Sequence, residues 1–110
     1  MRIDYVANDG TVFHDKEKCE KYEYNLVSKN TQARWYSTYG DPCSPGNAEL
    51  VFLPNQKAWE DFRWLADYEG CYYPEAEGNW IWQYTEYYPL SAYIKELKDK
   101  IQKLEDLAAL

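Results

Sequence analysis

The sequence predicts an α+β domain: a mostly antiparallel sheet of about five strands with three helices, in the order β-β-α-β-β-α-β-α. Three observations predict it. Short β-prone runs alternate with clusters of Gly, Pro, Asn and Asp. Three longer stretches carry apolar residues at helical spacing between start and stop residues. The chain has 110 residues and no linker, internal repeat or low-complexity tract, which suits a single domain over 1–110.

Ile3–Ala7 and Thr11–Phe13 flank Asn8-Asp9-Gly10. Asp-Gly between β-prone runs signals a hairpin, because glycine takes positive φ without a Cβ penalty. Asp15 stands where a helix N-cap should, and Lys16–Lys29 follows as the helix. Its Cys19, Tyr22 and Leu26 form an inward stripe at i, i+3 and i+7, away from Glu17, Lys18 and Lys21. Arg34–Tyr39 reads as a strand, Gly40–Asn47 as a breaker-rich loop, and Glu49–Leu53 as a second strand stopped by Pro54. The two are expected to pair antiparallel. Asn55 then caps a helix over Gln56–Glu69 that Gly70 ends. At about 100° per residue, Ala58, Phe62, Leu65, Ala66 and, at the margin, Trp59 share one half of its wheel. Glu60, Trp64 and Asp67 occupy the other. An outward tryptophan between carboxylates marks either a contact surface or a place covered by another element, such as the C-terminal helix.

Cys71–Asn79 reads as a loop and Trp80–Tyr88 as one strand, with Trp80, Trp82 and Tyr84 on one face. Those rings are expected to pack under the helices; the other reading is a flat ligand platform. Pro89 breaks the strand and the last helix covers 90–110. Leu90, Ile94, Leu97, Ile101, Leu104 and Ala108 step by 4, 3, 4, 3 and 4 residues, a heptad seam with Lys100 at g and Glu105 at e. The seam either lies across the sheet of its own domain or projects past it. In the second case it supports a homodimer through Leu90, Ile94, Leu97, Ile101 and Leu104.

Charge is segregated. Residues 1–40 and 91–110 are each balanced, whereas 41–90 carry only Lys57 and Arg63 against nine acids, so the whole net charge of −7 lies there. Four of the five tryptophans fall in the same stretch. A pI near 4.6 argues against direct binding of a nucleic-acid backbone, whose affinity comes from basic side chains. It favours a basic protein surface. A mean hydropathy of −0.79 without a long apolar run argues against a membrane span. The start MRIDYVAND lacks the apolar core of a secretory signal, and three widely spaced cysteines suit reduced thiols in a cytoplasm.

Catalytic motifs are not visible. His14 beside Asp15 reads as structural, since sequence neighbours rarely face each other. Cys19 sits on a helix's apolar stripe, and neither Cys43 nor Cys71 has a local base. There is no CxxC, HxxxH or phosphate-cradling glycine loop, and Asp67, Glu69, Glu75 and Glu77 lack calcium-loop spacing. The expectation is a protein that is not an enzyme and holds neither metal nor cofactor.

The opening IDYVANDGTVFHDKEKCEKYE (Ile3–Glu23) has a short strand, Asp9-Gly10, Phe13, a charged helix start, then Cys19 and Tyr22-Glu23. It resembles starts common among small proteins encoded by phages and prophages of Gram-positive bacteria. The resemblance spans about a fifth of the chain. It implies origin more than activity. Among small acidic phage proteins, inhibitors of host defence such as the anti-CRISPR proteins are a recurring class, and these cover basic nucleic-acid channels with acidic surfaces. The implied partner is a host protein with such a surface, a CRISPR effector nuclease among the possibilities, in the host cytoplasm. No site carries over from the family. From the charge pattern itself, the residues expected to make the contact are Glu60, Asp61, Trp64, Asp67, Glu69, Glu75 and Glu77. Two other readings stand beside it. One is a small-molecule module, for a sugar or nucleotide, on Trp80, Trp82 and Tyr84. The other is a phage structural or assembly protein that dimerises through its last helix.

Overall fold

The computed structural model describes residues 3–110. Strands β1 (Tyr5–Val6) and β2 (Val12–Phe13) precede helix α1 (Lys16–Asn30) and strand β3 (Arg34–Tyr36). A short 3-10 turn (Pro45–Asn47) leads into β4 (Leu50–Leu53), α2 (Gln56–Glu69), β5 (Gly78–Gln83), β6 (Glu86–Pro89) and α3 (Leu90–Ala108). The α+β class holds and the element order agrees broadly. The strand count does not: there are six strands among the described residues, in antiparallel sheets of two and four. The extra strand comes from Trp80–Tyr88, which is a hairpin rather than one strand. Its two-residue loop, Tyr84–Thr85, contains neither Gly nor Asn, although Tyr84 takes the positive φ of 59° such loops favour. Cross-strand packing of Trp82 on Tyr87, with centroids 4.9 Å apart, and the pairing of Gln83 with Glu86 hold the turn.

The β1–β2 hairpin rests on α1. Asp15 caps that helix by accepting from the Glu17 and Lys18 amides. The Tyr22 ring packs on Phe13, its hydroxyl donates to Asp9, and Glu23 accepts from the Asn8 amide. The Tyr22 bond is the main reason the Asp9 carboxyl lies below its ordinary range. His14 meets Asp4 across the hairpin at 3.0 Å, while Asp15 serves α1. Cys19 is buried, as its place on the apolar stripe requires.

The larger sheet runs β3-β4-β5-β6, antiparallel throughout. Strand alternation sends Val51, Leu53 and Trp80 to one face, where they pack with Ala58, Phe62 and Ala66 of α2. Trp35 joins them, its ring 5.8 Å from that of Phe62. Asn55 accepts from the Ala58 amide to start α2, and Gly70, at φ 71°, ends it in the left-handed conformation. Ile81, of opposite parity to Trp80, is buried on the other face. There the beginning of α3 forms a groove with Gln83 and Tyr88 through Ala92 and Tyr93. Beyond those first turns α3 leaves the body. None of its residues is buried, and the described chain measures 79 × 21 × 20 Å.

Candidate functional site

Two surfaces gather the residues singled out from the sequence. The first lies on the outer side of α2. Trp59 and Arg63 are one turn apart, and the Arg63 guanidinium sits 5.5 Å from the ring centroids of both Trp59 and Tyr73. Trp59 Nε1 donates to the Pro74 carbonyl at 2.7 Å, and Trp80 Nε1 to the Ala76 carbonyl at 3.0 Å. These contacts fold the segment after α2 back along the helix, with Pro74 buried beneath it. Glu75 and Glu77 of this strapped segment are exposed, as are Glu60 and Asp67 of the helix. Arg63 as the pivot was not anticipated; its i, i+4 spacing from Trp59 is the signal that would have found it.

The remaining expected residues are occupied within the fold. Asp61 pairs with Lys57 and its side chain is only 13% exposed. That pairing is the main cause of the raised Lys57 pKa. Glu69 accepts from the Tyr24 hydroxyl and from the Gly46 amide, both at 2.6 Å, and so brackets α1 and the 3-10 turn to the end of α2. Burial first, then this bond, keeps the Tyr24 phenol protonated well above its ordinary range. A Cβ at Gly46 would overlap Glu69 Oε2 and lie 2.7 Å from Cys71 Sγ. Trp64 is half-buried. Tyr68 of its own helix stacks on it at 5.9 Å and 17°, and Tyr24 of α1 packs on Tyr68 in turn.

The second surface begins where α2 stops covering the sheet. Trp80, Trp82 and Tyr84 do not form one platform. Trp80 is buried, Trp82 is half-buried, and Tyr84 stands in the β5–β6 turn, 88% exposed. Trp82 instead stacks on Tyr72 at 5.7 Å and meets Tyr87 edge-on. These rings, with Gly46, Glu49, Gly70 and Cys71, line an open cleft of about 390 Å³. That volume is at the small end for ligand pockets. Burial pushes the Tyr87 phenol up to about 12, with Cys71 as a lesser cause. The nearby Cys43 thiol is raised in the same way, by burial and then by Glu49 and Glu69. Both effects favour the protonated, uncharged forms of these two groups. Tyr87 escaped the sequence reading because its place beside Trp82 depends on the hidden hairpin.

Among the described residues, no group of three or more His, Cys, Asp or Glu is arranged to hold a metal ion, and Glu69 turns to Tyr24 and Gly46. No helix among the described residues is long and apolar enough to cross a membrane. Comparison with protein-family models, curated proteins and solved structures finds no match to this chain.

Proposed function

We propose that the protein is a binding module of the phage-inhibitor type, anti-CRISPR-like in mode. It lays the acidic outer side of α2 and its strapped loop on a basic, nucleic-acid-handling surface of a host protein, inside the host cell. One observation carries this reading. The Trp59–Arg63–Tyr73–Pro74 strap ties the segment that bears exposed Glu75 and Glu77 to the helix that bears exposed Glu60 and Asp67. Four carboxylates on an ordered frame stand in for phosphates and steer a cationic partner, and exposed Tyr68 and Tyr72 supply aromatic contact area. Of the seven residues expected at the contact, Glu60, Asp67, Glu75 and Glu77 make the charged set. Trp64 contributes its free edge. Asp61 and Glu69 support the frame.

The test is reversal of charge at exposed positions. Glu60→Lys, Asp67→Lys and Glu75→Lys together should leave thermal unfolding little changed, because isolated surface substitutions usually cost no more than about 0.5 kcal/mol each. The parent chain, used as bait in a nuclease-treated bacterial lysate, should retain one dominant basic protein at low salt and release it at high salt. The triple variant should retain none. Retention of the same protein by both would defeat the reading.

A second reading is favoured by the Trp82–Tyr72–Tyr87 cleft, whose rings suit the flat face of a sugar or a nucleobase. Titration of such ligands should then change tryptophan emission with little dependence on salt, and Trp82→Leu should abolish the change.

A further inference from the structure

Among the described residues, none buries the seam of α3. Ile94, Leu97, Ile101 and Leu104 are 40–56% exposed along a helix that buries nothing. The β5–β6 turn approaches α3 along Tyr93, Glu96, Leu97 and Lys100, so it reaches the seam at Leu97 and leaves Ile101 and Leu104 beyond it. Nor is the helix secured at its ends. Pro89 offers no side-chain cap and Ala109 ends the helix in right-handed conformation, without the left-handed glycine that closes α2. In proteins most of a helix's stability comes from packing of its amphipathic face against other structure. Nineteen residues reach about 28 Å, which is long enough for the packing to come from outside the domain.

We infer that α3 pairs with α3 of a second copy in a parallel two-stranded coiled coil, making the protein a homodimer. The occupant follows from the seam itself. Ile94, Ile101 and Ala108 fall at a, and Leu90, Leu97 and Leu104 at d. β-branched residues at a with Leu at d favour two parallel strands over trimers and tetramers. In that arrangement a g residue meets the e residue five positions on in the other chain. Lys100 therefore faces Glu105 of the partner subunit, and the two-fold axis repeats the pair. Antiparallel pairing would set g beside g and e beside e and lose both pairs. Residues 91–110 also have balanced charge, so the helices come together without the self-repulsion that the acidic 41–90 segment would impose. The two bodies then flank the start of the coil, each with its own acidic α2 face. A partner with repeated basic sites would be met twice by one dimer.

Sedimentation equilibrium of the full chain is the test, at concentrations up to about 1 mM, the weak end of specific association. The mass should rise from 13.1 kDa toward twice that value with concentration, and far-UV helicity should rise with it. Ile101→Lys should weaken association by about 100-fold or more, since a lone charge at a costs seam stability. Asp99→Ser, at the outward f position, should change nothing. Lys100→Glu and Glu105→Lys should each be largely monomeric alone, with like charges at both g and e. Mixed in equal amounts they should recover the dimer. A chain that stays monomeric to the highest concentration overturns the inference, as does association that Ile101→Lys leaves intact. A dimer that the two charge variants do not re-form when mixed overturns the parallel arrangement.

Discussion

Helices α2 and α3 lie on opposite faces of one sheet and both carry an apolar stripe, yet they stand in opposite situations. The stripe of α2 is sunk: Ala58, Phe62, Leu65 and Ala66 are each no more than 1% exposed. That helix starts on a side-chain cap, ends on a left-handed glycine, and is bracketed by Glu69 to α1 and to the 3-10 turn. The stripe of α3 touches β5 and β6 in its first turns and then runs into solvent. Amphipathic spacing thus tells that a face will be covered but not by what. The finer period distinguishes them. The buried set of α2 spreads over a broad arc, as a globular helix requires, whereas α3 keeps to strict steps of 4 and 3, the narrower seam of a coil.

The sharpest way to break the contrast is truncation at equivalent apolar positions. Phe62→Ala should cost about 3–5 kcal/mol, as large aromatic truncations in cores do. That is a large share of a domain's total of about 5–15 kcal/mol. Leu104→Ala should move the urea midpoint of a dilute, monomeric sample by less than about 0.5 kcal/mol equivalent. Equal losses at the two sites would mean that α3 is docked on the body after all.

What could be read in advance follows the same division. Asp15, Asn55 and Gly70 act locally, through amides within three residues or a single backbone conformation, and all three were legible. The buried face of α2 was legible because one period governs fourteen residues. The β5–β6 hairpin was hidden because its turn relies on tertiary pairing to hold a tyrosine at positive φ, against local preference. The candidate contact surface was half legible. Charge identified the acidic stretch, but the bonds made in the fold decide which acids are available, and only that of Asp61 to Lys57 is local. Glu69 is taken up by Tyr24 and Gly46, 45 and 23 residues away, and no spacing rule reaches that far.

A smaller effect probes how α2 holds its outer loop. Trp59→Phe leaves a smaller aromatic face for Arg63 but removes the bond to the Pro74 carbonyl. The loss should be about 1 kcal/mol, the net worth of a typical intramolecular hydrogen bond. Its local signature is faster proteolysis within 71–77, with no change in α1. If the loop remains as protected as before, the Arg63–Tyr73 contact and the Trp80 bond to Ala76 hold the strap without it, and the acidic face is more rigid than the single bond implies.

The smallest effect separates the two faces of the sheet at neighbouring residues. Tyr87 turns to the α2 side and Tyr88 to the α3 side, and both phenols titrate high for different reasons. Tyr87 is raised from 10 to about 12 mainly by burial, whereas Tyr88 is raised first by its hydrogen bond to Glu86. A folded pKa above the unfolded one means that the native state holds the proton more tightly. The Tyr87 contribution is therefore fully present below about pH 10 and is lost as pH climbs toward 12. Tyr87→Phe should flatten the fall in stability over that window, measured by urea unfolding at stepped pH. Glu86→Gln should bring the Tyr88 phenolate absorbance to lower pH and leave Tyr87 where it was, because a removed hydrogen bond reaches only its own partner while burial persists. If Glu86→Gln moved both phenols together, the two faces would share one electrostatic environment. The distinction between a Tyr87 raised by burial and a Tyr88 raised by Glu86 would then fail.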